Sequence, residues 1–171
     1  MNLKRIGLLW LLLSAVTVGA MYAQNWYGKT INRSGSSSSQ YMIIFHSYPA
    51  GTRTIDGSTS RFGHVYVEFI DQTTGNNELR GMDRSESFWS SDWGQLQREN
   101  NALRHMSTKR LLVWVNRTQF NNAKAITGGY YFAGFNDCVT YAKNVASRIG
   151  VNYSWNTLFP DSLLDDFIRQ N

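Results

Sequence analysis

The chain contains a single cysteine, Cys138, at a point where the sequence predicts the start of a helix. His64 lies far upstream and opens an alternating stretch that predicts a strand. A helix N-terminus favours a thiolate, because its free N–H groups and dipole stabilise negative charge. A histidine within reach can accept the thiol proton and return it later. These residue types predict nucleophilic chemistry with Cys138 as nucleophile and His64 as base. The alternative is a buried cysteine with a structural role.

The elements that must position this pair indicate an α+β domain, an antiparallel sheet with helices packed on it. The segment Ser85–Arg104 has no clear period and is predicted to be a long loop. Turn residues, apolar runs and alternation predict four strands: Tyr41–His46, His64–Asp71, Asn77–Asp83 and Lys109–Asn116. Caps and apolar spacing predict three helices, the first capped by Thr118: Thr118–Ile126, Cys138–Ile149 and Pro160–Arg169.

The N-terminal residues 1–23 are typical of a secretory signal peptide. A basic start at Lys4 and Arg5 precedes a mostly apolar run, Ile6–Val18, and small residues up to Ala23. We therefore expect a secreted or periplasmic protein, with an uncleaved anchor as the alternative. Residues 24–40 are polar and serine-rich and are predicted to be a flexible lead. Residues 41–171 are predicted to form a single domain.

Charge and cysteine content exclude several classes of partner. The formal charge is +5, and it falls to +3 when Lys4 and Arg5 leave with the signal peptide. Because the sequence contains no run of lysines or arginines, no nucleic-acid partner is expected, while peripheral contact with an anionic wall or membrane remains compatible. A lone cysteine excludes an internal disulfide. No short spacing of histidines and cysteine predicts zinc, so we expect no metal and no cofactor, and a monomer.

Three segments share their order with a known group of proteins: Gly63–Glu68, Leu79–Met82 and Asn136–Ala142. A Gly-His strand, its hairpin partner and then Asn-Asp-Cys at a helix start resemble the circularly permuted papain-like proteins of the NlpC/P60 superfamily, over roughly Tyr41–Phe167. The resemblance implies a permuted papain-like core for residues 41–171, with Cys138 as nucleophile and His64 as base. Its members are cysteine hydrolases, often of cell-wall peptides. It thus implies hydrolysis of an amide bond in a peptide or peptidoglycan-like substrate through a Cys138 thioester.

A third catalytic residue would hold the imidazole in the right tautomer. Pairing about the hairpin turn brings Asp83 roughly opposite His64, which makes Asp83 the candidate, and a strand-end structural role for Asp83 is equally compatible. Glu68 shares the face of His64, but four residues along a strand span about 13 Å. We therefore interpret Glu68 as structural.

Four further residues are candidates for contact with substrate. The Asn136 amide could donate to an oxyanion, although Asn136 or Asp137 is as readily explained as the cap of the helix. His46 could line the cleft, and the simpler interpretation is a strand-end histidine that faces water. Trp89 and Trp93 could grip a peptide or sugar, or pack within a lid.

Two other functions fit the same residues. A lipid acyltransferase or thioesterase would use the Cys138–His64 pair and need an apolar groove. A catalytically inactive envelope binding module would keep the fold without turnover. Two features favour the binding module: an acidic residue, Asp137, lies beside the thiol, and the third catalytic residue is not settled by the sequence.

Overall fold

The computed structural model describes residues 27–54, 57–83, 95–98, 101–127 and 137–171. They form an α+β arrangement with one mixed sheet of six strands. The strands are β1 (Tyr27–Asn32), β2 (Tyr41–Tyr48), β3 (His64–Asp71), β4 (Asn76–Asp83), β5 (Gln95–Arg98) and β6 (Lys109–Val115). A 3₁₀ helix spans Asn101–His105, and the α-helices are α1 (Arg117–Lys124), α2 (Cys138–Ile149) and α3 (Pro160–Gln170).

The strand order is β1-β6-β2-β3-β4-β5. Only the pair β1–β6 is parallel, and the other neighbours are antiparallel. The four predicted strands are therefore confirmed as the antiparallel centre of the sheet. The helices packed on it confirm the α+β class and the packing of the Cys138 helix on one face.

Two segments differ from expectation. The predicted flexible lead contains β1, which pairs with β6 from Tyr27↔Lys109 onward. Its side chains are mostly exposed, so no apolar alternation marks it in the sequence. The predicted loop Ser85–Arg104 contains β5 and most of the 3₁₀ helix. Both extra strands lie at sheet edges, where pairing with a neighbour, rather than burial, determines the structure.

Helix α1 also begins two residues earlier than the predicted cap, Thr118, would allow. Asn116 is its cap: the Asn116 side chain accepts the N–H of Gln119, and the Gln119 side chain accepts the N–H of Asn116. This reciprocal capping box satisfies two N–H groups at once. Thr118 therefore lies inside the helix.

The two faces of the sheet have separate cores. One face, here called the helix face, carries Val65, Val67 and Phe69 of β3 and packs under α1, α2 and α3. The other, here called the second face, carries a smaller cluster of Tyr48, Tyr66, Leu79 and Leu103. Successive residues of a strand point to opposite faces. The even-numbered residues of β3, including His64, therefore belong to the second face.

Several elements meet at one end of the sheet, here called the His64 end. The register places Tyr27 and Ser47 beside Lys109, and Tyr48 beside His64. Helix α3 starts at this end, because Asp161 accepts hydrogen bonds from Ser47 and Lys109. Helices α2 and α3 terminate at the opposite end, where Asn171 follows α3 and accepts the N–H of Asn152 just after α2. Helix α2 therefore starts at the His64 end.

Candidate functional site

Cys138 is the first residue of α2, as predicted. Asp137 is the cap, and its Oδ1 accepts the N–H of Thr140 at 3.0 Å. Gly150 ends the helix in the left-handed region at φ +73°, also as predicted. The Cys138 side chain is partly buried and packs against the core of the helix face. A thiol in this position lies next to main-chain N–H groups of the first turn, which have no partner within the helix.

His64 is the first residue of β3, and its ring lies on the second face. The ring centroid is 5.8 Å from that of Tyr66, with the planes 22° apart, and 5.8 Å from that of Tyr48. Cys138 and His64 therefore share the same end of the sheet but pack on opposite faces. Because Val65, Val67 and Phe69 occupy the helix face, the two-residue period of the strand turns His64 away from α2. Contact between thiol and imidazole requires the ring to turn around the start of β3.

Gly63 fixes the point at which β3 begins. Its φ is +78°, a conformation that glycine adopts without steric cost. A Cβ atom at this position would lie 2.5 Å from the carbonyl oxygen of Tyr48 and 3.0 Å from the carbonyl carbon of Pro49. The chain before His64 thus passes directly against the backbone at the end of β2. This close approach sets the position from which the imidazole projects.

The other predicted site residues are only partly covered. Asp83 is the last residue of β4, and the observed pairs of β3 with β4 end at Val67↔Arg80. Extension of that register to the strand ends sets Asp83 across from His64. The side chain of Asp83, and Asn136, Trp89 and Trp93 as a whole, lie outside the described residues.

His46 corrects the expectation of a water-facing histidine. It is 1% exposed, and its Nε2 lies 3.0 Å from Oε2 of Glu68. Its ring stacks on Tyr66 with centroids 4.9 Å apart and planes 3° apart. The 3₁₀ helix covers this part of the second face, and Arg104 from that helix donates through Nε to Oε1 of Glu68 at 2.8 Å. His46 is therefore enclosed and does not line an open cleft.

The buried pair has a defined proton arrangement. Burial lowers the pKa of His46, against the opposing influence of the Glu68 hydrogen bond. Nδ1 of His46 is buried and has no hydrogen-bond partner within the described part of the chain. A neutral ring that donates through Nε2 to Glu68 fits both facts. Burial alone would raise the pKa of Glu68, but hydrogen bonds from His46 and Arg104 outweigh it, and the pKa lies below its ordinary value.

This buried network was missed because its members come from three separate segments. His46 and Glu68 are diagonal neighbours on β2 and β3, since His46 pairs with Tyr66 and Glu68 pairs with Ile44. A sequence signal did exist: Glu68 is a charged residue in the middle of a strand whose neighbours are all apolar or aromatic. A buried carboxylate needs partners. Here the network secures the 3₁₀ helix on the sheet.

A cavity of about 560 Å³ lies elsewhere, between the segment before α3 and α3 itself. Asn156, Phe159 and Asp165 are among its lining residues, and Cys138 and His64 are not.

In the ranges that the structure covers, no group of three histidine, cysteine, aspartate or glutamate side chains could hold a metal ion. No helix within those ranges is long and apolar enough to cross a membrane.

Comparison with known proteins adds no relative. No protein-family model matches the chain, and neither a curated protein nor a solved structure matches it.

Proposed function

We propose that the chain is a thiol hydrolase that cleaves an amide bond, with cell-wall peptide as its substrate class and a permuted papain-like arrangement as its core. The observation that carries this proposal is the position of Cys138. It is a partly exposed thiol at the first residue of α2, at the same end of the sheet as His64. The predicted signal peptide would deliver such an enzyme to the cell envelope.

The chemistry follows from that position. The Cys138 sulfur attacks the substrate carbonyl carbon after His64 accepts the thiol proton, and the tetrahedral oxyanion forms. N–H groups in the first turn of α2 can donate to that oxyanion. Return of the proton to the leaving amine breaks the C–N bond and leaves a thioester. Water activated by His64 then hydrolyses the thioester and restores the thiol.

One movement is required for this mechanism. The His64 ring must leave Tyr48 and Tyr66 and turn toward the helix face. Asp83, which the register of β3 and β4 sets across from His64, is the proposed third catalytic residue.

A non-catalytic binding module is the second candidate. It is favoured by a specific observation, the packing of the His64 ring on the face opposite Cys138. In that case the thiol would be a small side chain that completes the helix-face core, and the domain would bind envelope components without turnover.

Alkylation of the single thiol separates the two candidates. Because the chain has one cysteine, iodoacetamide incorporation reports Cys138 alone. The hydrolase predicts rapid labelling of the folded protein at neutral pH, slowed at least about ten-fold by His64→Ala. His105→Ala, which changes an exposed histidine, is the matched control and should label like the parent. Cys138→Ser should abolish hydrolysis of wall peptides. The binding module predicts slow labelling until unfolding, with no effect of His64→Ala.

A further inference from the structure

A short segment, residues 103–106, lies on the second face and is here called the cover. Leu103 is buried in the second-face cluster with Tyr66 and Leu79, and Met106 packs against that cluster. This cluster is separate from the larger core under the helices. Local opening of a protein breaks only the contacts that the opening segment makes. The cover can therefore leave the sheet while the helix-face core stays intact.

Polar contacts from β3 and β6 hold the cover in place. Arg104 donates through Nε to Oε1 of Glu68 at 2.8 Å. The carbonyl oxygen of Leu103 accepts the hydroxyl of Tyr66. Arg110 donates through a terminal nitrogen to the carbonyl oxygen of Arg104 at 2.6 Å. The closed position of the cover thus depends on side chains that project from the sheet beneath it.

His46 lies at the centre of these supporting side chains. Tyr66 on β3 and Arg110 on β6 are its register partners, and its Nε2 lies 3.0 Å from Oε2 of Glu68. The residue is 1% exposed, and Nδ1 has no hydrogen-bond partner in the described part of the chain. A proton on Nδ1 would create a buried N–H group with nothing to accept it, which is costly. The closed cover therefore favours the neutral ring.

The surrounding charges act in the same direction. Among the described residues, the titratable and charged groups that face His46 are Glu68 and Tyr66 of β3, Arg110 of β6 and Arg104 of the cover. Departure of the cover removes the Arg104 charge and admits water to Nδ1, while Glu68 stays beside the ring as a counter-charge. His46 therefore binds a proton more readily when the cover is open.

We propose that His46 is an acid-sensitive switch that releases the cover from the second face. Because the open form binds the proton more tightly, the ratio of open to closed cover rises as the pH falls, by at most about ten-fold per pH unit. Opening uncovers Tyr66, whose ring lies 5.8 Å from that of His64 between centroids. The surroundings of His64 thus depend on pH through His46. The switch does not require Cys138 to be catalytic.

Hydrogen exchange of main-chain amides, followed by NMR between pH 7 and 5, tests the switch. This range lies above the ordinary pKa of a glutamate, about 4.3, so it isolates the histidine. The amide of Met106 donates to the Leu103 carbonyl oxygen at 2.9 Å and reports the closed cover. After correction for the intrinsic effect of pH on exchange, its protection should fall below about pH 6.5 by up to about ten-fold per pH unit. Amides within β3 should keep their protection.

Variants assign the effect to His46. His46→Gln can still donate to Glu68 but takes up no proton, so protection of the cover should no longer depend on pH. His105→Gln is the matched control, because His105 lies in the cover but is exposed, and it should behave like the parent. Arg104→Gln removes the ion pair with Glu68 and should speed exchange of the cover already at pH 7. It tests the cover even if His46→Gln fails to fold.

Several results would overturn the switch. They are protection of the cover that is constant between pH 7 and 5, protection that falls in step with that of β3, a pH dependence that His46→Gln retains, and exchange at pH 7 that Arg104→Gln leaves unchanged. Cys138→Ser should open with the same pH dependence as the parent. Failure of the switch and failure of the hydrolase are therefore distinguishable.

Discussion

Gly63→Ala should be among the most damaging single-methyl additions in this protein. The substitution forces a non-glycine residue to φ +78°, which costs about 1–2 kcal/mol. It also places a Cβ 2.5 Å from the oxygen of Tyr48 and 3.1 Å from the nitrogen of Ala50. Those neighbours are backbone atoms and cannot rotate away. Relief by backbone movement adds about 1–3 kcal/mol, for a total of about 2–5 kcal/mol.

Gly75→Ala is the matched control. Gly75 has nearly the same φ, +72°, but no atom lies within 4 Å of its Cβ position. It therefore carries the conformational cost without the steric one, about 1–2 kcal/mol. The difference between the two variants isolates the close approach of the chain before His64 to the end of β2.

Urea unfolding followed by far-ultraviolet circular dichroism gives both free energies of unfolding. Domains of this size have about 5–15 kcal/mol of stability. We therefore expect one of two results for Gly63→Ala: a measurable but lower free energy of unfolding, or failure to fold under conditions in which Gly75→Ala folds. Either result supports the geometry around Gly63. Equal losses in the two variants, within about 0.5 kcal/mol, would show that β3 does not begin against the end of β2 as described.

Two further predictions concern acid and the cap of α2. Burial holds the pKa of His46 in the folded protein below 6.5. As the pH falls, His46 is therefore protonated in the unfolded chain before it is protonated in the folded one. The free energy of unfolding should fall as the pH drops below about 6.5, until the pKa of the folded state is reached. The loss is at most about 1.4 kcal/mol per pH unit. Urea titrations between pH 7 and 5 measure it. His46→Gln should remove this pH dependence of the free energy of unfolding, and the control His105→Gln, at an exposed histidine, should keep it. Asp137→Ala should lower the free energy of unfolding by about 1 kcal/mol, because it removes the hydrogen bond that Asp137 accepts from the Thr140 N–H. Asp137→Asn should keep most of that stability, since an amide oxygen can accept the same hydrogen bond. Equal losses in the two variants would assign the effect to charge rather than to the cap.

The central strands and the starts of α2 and α3 were predictable because their signals are local, whereas the cap of α1 was placed two residues too late. The apolar set Val65, Val67 and Phe69 marks β3, and Asp137 and Gly150 bracket α2. Strand β1 was missed, since a parallel edge strand depends on the free edge of β6 and not on its own pattern. The network of His46 and Glu68 was missed because its partners come from a neighbouring strand and a distant 3₁₀ helix.

The face of His64 follows from the sequence pattern of β3. If helices cover one face of an antiparallel sheet, the apolar members of an alternating strand belong beneath them. In β3 those members are Val65, Val67 and Phe69, so His64 falls on the other face. The pairing of His64 with Cys138 was inferred from residue types and order, neither of which contains face information.

The proposed thiol–imidazole pair depends on how the second face is built. The inner rings are held firmly: Tyr66 donates its hydroxyl to the Leu103 carbonyl, and His46 is fixed by Glu68. His64 is the partly exposed outer member of this stack, and Tyr48 and Tyr66 are among its ring contacts. If the proposed hydrolase is correct, the His64 ring must leave these two aromatic rings, whereas the buried pair of His46 and Glu68 need not change.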